Sequence, residues 1–76
     1  MALMTESYVS QIGDAAGVVW HTLEAAGETT FAKLVKETGL PRDLVMQAIG
    51  WLAREDKITI DESRTRKIAL RTGSPL

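Results

Sequence analysis

The sequence predicts an α+β fold, a winged helix-turn-helix with a three-helix core and a two-stranded β-hairpin as its wing. Within residues 31–60, a short and a longer amphipathic helical segment are separated by the break Gly39-Leu40-Pro41. Alternating apolar and polar residues follow at 58–61 and return at 68–70, as in paired strands. A short extended segment before the second helix gives the order α-β-α-α-β-β. We predict a single domain over residues 1–76, with an ordered core at about 8–71.

The first helix is predicted to begin at Ser7 or Ser10, because a serine oxygen can accept a hydrogen bond from an otherwise unpaired backbone N–H. Gly27 ends it, since glycine adopts the left-handed conformation at little cost. Residues spaced three and four apart form its predicted inner face: Val9, Ile12, Ala16, Val19, Trp20 and Leu23. Residues 1–6 and 72–76 are predicted to be loose ends.

The second helix is predicted at residues 31–38, with Thr30 as its N-cap and Gly39 closing it. Its predicted inner face consists of Phe31, Leu34 and Val35. The third helix is predicted at residues 41–55, with Pro41 in its first turn, where the missing N–H would have no partner. Its predicted inner stripe consists of Leu44, Val45, Ala48, Ile49 and Leu52.

The last part of the chain is predicted to form the wing. Asp56-Lys57 is a turn, and residues 61–66 form a polar loop between the two strands. The strand alternation predicts that four side chains face the core: Ile58, Ile60, Ile68 and Leu70.

Composition narrows the possible function classes. The chain has no cysteine, which excludes disulfides and thiolate metal sites, and its net charge of −1 is not that of a general polyanion binder. The charge is uneven, however, because residues 1–32 contain no Lys or Arg, whereas residues 33–76 contain all nine. We see no signal peptide and no apolar stretch long enough to span a membrane, and we predict a cytoplasmic protein.

Nothing in the sequence indicates catalysis. His21 is the sole histidine and is predicted to be a solvated surface residue, without a nucleophile or a metal-ligating partner. There is no glycine-rich phosphate loop and no signature of a small-molecule pocket. We therefore predict no enzyme activity, no cofactor, no metal and no small-molecule substrate.

One segment is specific enough to suggest a family. The run of residues 48–58, AIGWLAREDKI, together with Ala16-Gly17, Trp20 and Leu23, resembles a small prokaryotic family of winged helix-turn-helix domains of unknown function. The resemblance covers residues 12–70. It implies the winged-helix fold and a regulatory or nucleic-acid-binding role, and it implies no ligand or catalytic residue.

The first functional hypothesis is binding to double-stranded DNA in transcriptional regulation, either weakly or as an oligomer. The outer face of the third helix would approach the major groove, where Gln47 could pair with adenine and Arg42 could reach guanine or phosphate. Asp43 would repel phosphate, and the rest of that face is poor in cations. The wing and the second helix supply most of the other cations. The predicted contacts are Lys33, Lys36, Arg42, Met46, Gln47, Arg54, Arg64, Arg66 and Lys67.

The alternative hypothesis is a protein-interaction domain, with a partner or a second copy docking on the wing or on Met46, Gly50, Trp51 and Ala53 of the third helix. Gly13 and Gly17 lie four residues apart and are predicted to open a groove on the first helix, with Trp51 as one occupant. That groove would serve packing within the chain or contact with a dimer or partner. The charged wing residues would, in this alternative, serve solubility and protect the strand edge.

Overall fold

The computed structural model describes residues 7–62, 64 and 66–71. The helices are α1 (Tyr8–Ala26), α2 (Phe31–Thr38) and α3 (Arg42–Arg54), and the strands are β1 (Thr29–Thr30), β2 (Ile58–Ile60) and β3 (Lys67–Leu70). The predicted order α-β-α-α-β-β is confirmed. The predicted loose ends, residues 1–6 and 72–76, lie outside the described residues.

Side-chain caps and glycines define the ends of the first two helices. The Ser7 hydroxyl accepts a hydrogen bond from the Ser10 N–H at 3.1 Å, and Thr30 Oγ1 accepts one from the Lys33 N–H at 3.2 Å. Gly27 and Gly39 follow α1 and α2 with φ of 75° and 71°. The third helix differs from its prediction, because Pro41 occupies the N-cap with an extended ψ of 142° and Arg42 is the first helical residue.

The three strands form one antiparallel sheet in the order β1-β3-β2. In β1, Thr29 pairs with Ile68 and Thr30 with Lys67, while in β2 Ile58 pairs with Leu70 and Ile60 with Ile68. The extended segment before α2 is therefore a true strand. Because it pairs with β3, the start of α2 lies directly beside the wing.

The core lies between α1, α3 and the inner face of the sheet. Its buried residues are Ala15, Ala16, Val19, Leu23, Leu34, Val45, Ala48, Ile49, Leu52, Ile58 and Ile68. Most predicted inner positions are confirmed, and Phe31, Val35, Leu44 and Leu70 pack against this cluster while half-buried. Ala15 is an additional buried residue.

The prediction of a core position is wrong for two residues, Val9 and Ile60. Val9 is 62% exposed, since the buried stretch of α1 begins only at Ala15 and no described element covers the first turn. Ile60 is 37% exposed, although its cross-strand partner Ile68 is fully buried. The difference arises because β3 has a neighbour on each side, whereas Ile60 ends an edge strand.

An aspartate closes α3 in a position usually taken by glycine. Asp56 has φ of 63°, its N–H donates to the Ala53 carbonyl at 3.0 Å, and the Lys57 N–H donates to the Leu52 carbonyl at 3.0 Å. These two bonds are the pair that defines a Schellman motif. The Asp56 carboxylate also accepts from Arg71 Nη1 at 2.6 Å, which joins the end of α3 to the end of β3.

We expect Asp56→Ala to lower the free energy of unfolding by about 1–2 kcal/mol, because alanine lacks the short polar side chain that tolerates a left-handed backbone. Asp56→Gly should be about 1 kcal/mol more stable than the alanine variant, since glycine has no Cβ to clash. The exposed Arg71 pair contributes at most about 1 kcal/mol. Arg71→Gln, measured in the same urea titrations by circular dichroism, isolates that contribution. Equal stability of the alanine and glycine variants would contradict this account of the cap.

Candidate nucleic-acid interface

The amino-terminal ends of α2 and α3 meet the wing around an open cleft of about 580 Å³. Its lining residues are Thr30, Phe31, Ala32, Arg42, Met46, Glu62, Arg64 and Arg66. They come from three separate stretches of the chain, and the pairing of Thr30 with Lys67 brings the first of them to the last. We call this site the wing cleft.

The wing cleft is positively charged. It contains Arg42, Arg64 and Arg66 against the single carboxylate of Glu62, and all four residues are exposed. Within residues 7–62, 64 and 66–71, none of these three arginines forms an ion pair. Guanidinium groups without a carboxylate partner retain their donors for an anionic ligand, which they can bind in a bidentate manner.

The helix ends add to this positive potential. Each helix amino terminus carries a partial positive charge and N–H groups without intrahelical partners. The Thr30 cap at α2 satisfies the Lys33 N–H. At α3 the N-cap residue Pro41 makes no side-chain hydrogen bond, and the Asp43 carboxylate accepts one from the Leu44 N–H at 2.9 Å. Arg42, the first residue of α3, places a cation at the positive end of that helix, which disfavours the helix. Asp43 in the same turn partly offsets this effect.

The backbone of the wing brings two arginines to the same cleft. The Asp61 N–H donates to the Lys67 carbonyl at 2.8 Å, which closes the hairpin at the base of its loop. Arg66 has φ of 51°, a left-handed conformation that favours glycine, yet an arginine occupies the position. Its side chain lines the wing cleft together with that of Arg64.

The predicted DNA-contacting residues lie in more than one place. Arg42, Met46, Arg64 and Arg66 line the wing cleft, although Met46 is half-buried against the core rather than fully on the outer face. Gln47 and Arg54 instead line a second open groove with Ile12, Gly50 and Trp51. Three further residues are exposed and outside both: Lys33, Lys36 and Lys67. The set as a whole stays a prediction.

Four residues of the wing cleft were not among the predicted contacts: Thr30, Phe31, Ala32 and Glu62. The first three precede or begin α2, where the sequence indicates only a cap and an inner aromatic side chain. Glu62 is one of several charged residues in a polar loop. Their proximity depends on the β1–β3 pairing, which leaves no local sequence signal.

The residues of the alternative interface are also divided between surfaces. Met46 belongs to the wing cleft, whereas Gly50 and Trp51 line the groove beside Ile12. Trp51 packs over Gly13, where an added Cβ would lie 3.8 Å from Cη2 and Cζ2 of the indole ring. The hypothesis that Trp51 occupies a glycine-lined groove on α1 is thus confirmed at Gly13. Gly17 has no neighbouring heavy atom within 4 Å of such a Cβ.

In the described part of the chain, His21 and the acidic residues form no metal site. His21 is solvated, with Nδ1 3.6 Å from the Glu24 carboxylate and its ring edge-on to Trp20. Among the described residues, no three His, Asp or Glu side chains are grouped to hold a metal ion. None of the helices within this described part is long and apolar enough to cross a membrane.

The chain belongs to the winged helix-turn-helix domain family DUF2582, whose model matches residues 4–71. It is 41% identical over 58 residues to the uncharacterized protein MJ1608 of Methanocaldococcus jannaschii, covering 72% of this chain and 81% of that protein. This confirms the family resemblance carried by residues 48–58.

Two solved structures share the fold. The solution structure of BT2368 from Bacteroides thetaiotaomicron is 28% identical, with a TM-score of 0.78 and 92% of each chain covered. The Zalpha domain of Carassius auratus PKZ, solved in complex with Z-DNA, is 17% identical, with a TM-score of 0.73 over 79% of this chain and 97% of that one. The second likeness concerns the fold alone.

We expect Arg42→Glu to raise the free energy of unfolding by about 0.3–1 kcal/mol at low ionic strength, because it replaces a cation with an anion at the positive end of α3. Arg42→Gln should give a smaller gain. Urea unfolding at low and high salt measures both, and salt should reduce the differences by screening. A loss of stability in Arg42→Glu would mean that Arg42 has a structural role instead.

Proposed function

We propose that this domain binds double-stranded DNA through the wing cleft and acts in transcriptional regulation. The observation that carries the proposal is the group of three arginines, Arg42, Arg64 and Arg66, without ion pairs among the described residues and gathered at two helix amino termini. An arginine at the start of α3 and another in a left-handed conformation are both unfavourable for folding. Binding of a DNA phosphate would explain why an arginine occupies each of these two positions.

The arginines would contact the DNA backbone. Guanidinium groups and helix amino termini both bind phosphate oxygens, and such contacts set the orientation of a protein on the duplex. Lys33, Lys36 and Lys67 are exposed and would add contacts at the margins. Glu62 in the cleft and Asp43 on α3 oppose phosphate, so we expect modest affinity with a strong dependence on salt.

Base reading would depend on few side chains. Gln47 is exposed on the outer side of α3 and has the donor and acceptor pair that matches adenine in the major groove. Arg54 is a further exposed cation on α3, whereas Gly50 and Ala53 offer no polar side chain. We therefore propose a right-handed duplex as the ligand, bound mainly through its backbone and with weak sequence preference.

The Carassius auratus domain supports the proposal to the extent that the same fold occurs there in a complex with Z-DNA. Its 17% identity does not extend to the contacts themselves. A left-handed duplex is therefore an informative comparison ligand. The Gln47 contact requires an accessible major groove, and for this reason we expect the right-handed form to bind more tightly.

We further propose that binding strengthens when more than one copy is present. A domain of this size covers little of a DNA groove, and paired winged or helix-turn-helix domains commonly bind two half-sites. Two linked wing clefts would also double the number of phosphate contacts and steepen the salt dependence.

The second candidate function is protein interaction. It is favoured by Trp51, an indole that is 37% exposed beside Gly50 on α3. Tryptophan is enriched at the energetic centres of interfaces. In this case the outer face of α3 or the wing would dock on a partner, and the arginines would serve solubility.

Fluorescence anisotropy with a labelled mixed-sequence duplex, titrated at several salt concentrations, tests the DNA proposal. The logarithm of the association constant should fall linearly with the logarithm of the salt concentration. Arg64→Gln with Arg66→Gln should reduce that slope by up to about two, and adding Arg42→Gln should reduce it by about one more.

Arg71→Gln is the matched control, because Arg71 is exposed at the opposite end of β3 and pairs with Asp56 outside the wing cleft. It should keep most of the wild-type slope. If Arg71→Gln reduced the salt slope per arginine as much as the wing variants do, DNA binding would depend on net charge only. Absence of binding by the wild-type domain at low salt would overturn the proposal, and tighter binding of a left-handed duplex would overturn its choice of ligand.

A further inference from the structure

Several residues on the α1–α3 face have no explanation within the chain. We use this name for the surface formed by Val9, Ile12, Gly17, Gly50 and Trp51, next to Trp20. Val9 precedes Gly13 by one helical turn, so that it lies in line with the Trp51 contact on α1. Apolar side chains left uncovered along one face commonly mark an interaction surface.

The glycines of this face differ in whether packing within the chain requires them. Gly13 makes room for Trp51 within the chain. Gly17 and Gly50 are exposed inside helices and have no heavy atom within 4 Å of an added Cβ, so packing within the described chain does not require them. Each lowers helix stability by about 1 kcal/mol relative to alanine. A close approach from outside the chain would account for both.

The α1–α3 face has an open groove at each end, and the exposed Val9 lies one helical turn before Ile12, which lines the second groove. At one end, Gly17 forms part of a groove of about 320 Å³ whose apolar walls include Trp20 and Trp51. At the other end, Val9 is 62% exposed and Ile12 is half-buried beside Gly50. The Trp51 indole lies between the two ends and lines the grooves at both.

We propose that the α1–α3 face binds a second copy of this chain in a two-fold symmetric dimer. A two-fold axis through the middle of a surface brings each end onto the opposite end of the partner. Val9 and Ile12 of one copy then enter the groove beside Gly17 and Trp20 of the other. Both Trp51 side chains become buried at the centre, where interface tryptophans contribute most.

Charge favours a second copy as the occupant. Arg54 lies at the Ile12 end and forms no ion pair among the described residues. Glu24 lies one turn beyond Trp20, toward the opposite end, and its only described contact is the exposed His21. The symmetric arrangement brings Arg54 of each copy toward Glu24 of the other. α1 contains no Lys or Arg, and Lys57, which lines the groove beside Gly17, already pairs with Glu55 of its own chain at 3.8 Å.

Sedimentation equilibrium of the purified chain without DNA tests the dimer, from about 10 µM to about 1 mM, the range in which a weak association is populated. The average mass of the wild-type chain should rise toward that of a dimer. Gly17→Leu fills the groove and should weaken association about tenfold or more, as loss of a central packed contact does. Ala25→Leu adds a similar exposed side chain to α1 outside the grooves and should associate like the wild type.

A charge exchange distinguishes this interface from others. Glu24→Lys and Arg54→Glu should each weaken the dimer, and the double variant should restore it because the attraction is only reversed. A wild-type chain that stays monomeric throughout the range would overturn the proposal. Association of Gly17→Leu with wild-type affinity, or failure of the double variant to recover, would also overturn it. Because no DNA is present, these outcomes are independent of the wing cleft.

Discussion

The pairing of β1 with β3 determines where the functional surfaces of this molecule lie. Thr29 and Thr30 pair with Ile68 and Lys67, and Ile68 is buried at the centre of the sheet. This short ladder ties the residue that caps α2 to the strand that ends the wing. It places the start of α2 beside the strand that follows Arg64 and Arg66. The wing cleft is therefore a product of sheet topology.

The local features of the fold could be predicted because their causes are local. A threonine before an amphipathic run and a glycine after it define α2, and the periodicity of α3 identifies its four buried residues. The errors occur where burial depends on distant partners. Val9 continues the apolar pattern of α1, but no described element covers it, and Ile60 continues the pattern of β2 at an open edge.

The candidate site was predictable in its cations but not in its shape. Arg42, Arg64 and Arg66 are conspicuous in the sequence, whereas the contribution of Phe31 and Glu62 to the same cleft depends on non-local pairing. The same limit applies to α3. Its outer residues form one list in the sequence, but Met46 faces the wing cleft while Gln47 and Arg54 face the groove beside Trp51. The wing cleft and the groove beside Trp51 are distinct surfaces of α3, so phosphate contact by the wing cleft can be separate from self-association.

The central claim is that the wing cleft contacts DNA, and residue-resolved NMR during addition of a duplex tests it most directly. We expect the amide shifts to concentrate at Phe31, Ala32, Arg42, Arg64 and Arg66, and moderate salt to reverse them. Shifts confined to Gly17, Gly50 and Trp51, or shifts that salt leaves unchanged, would contradict it.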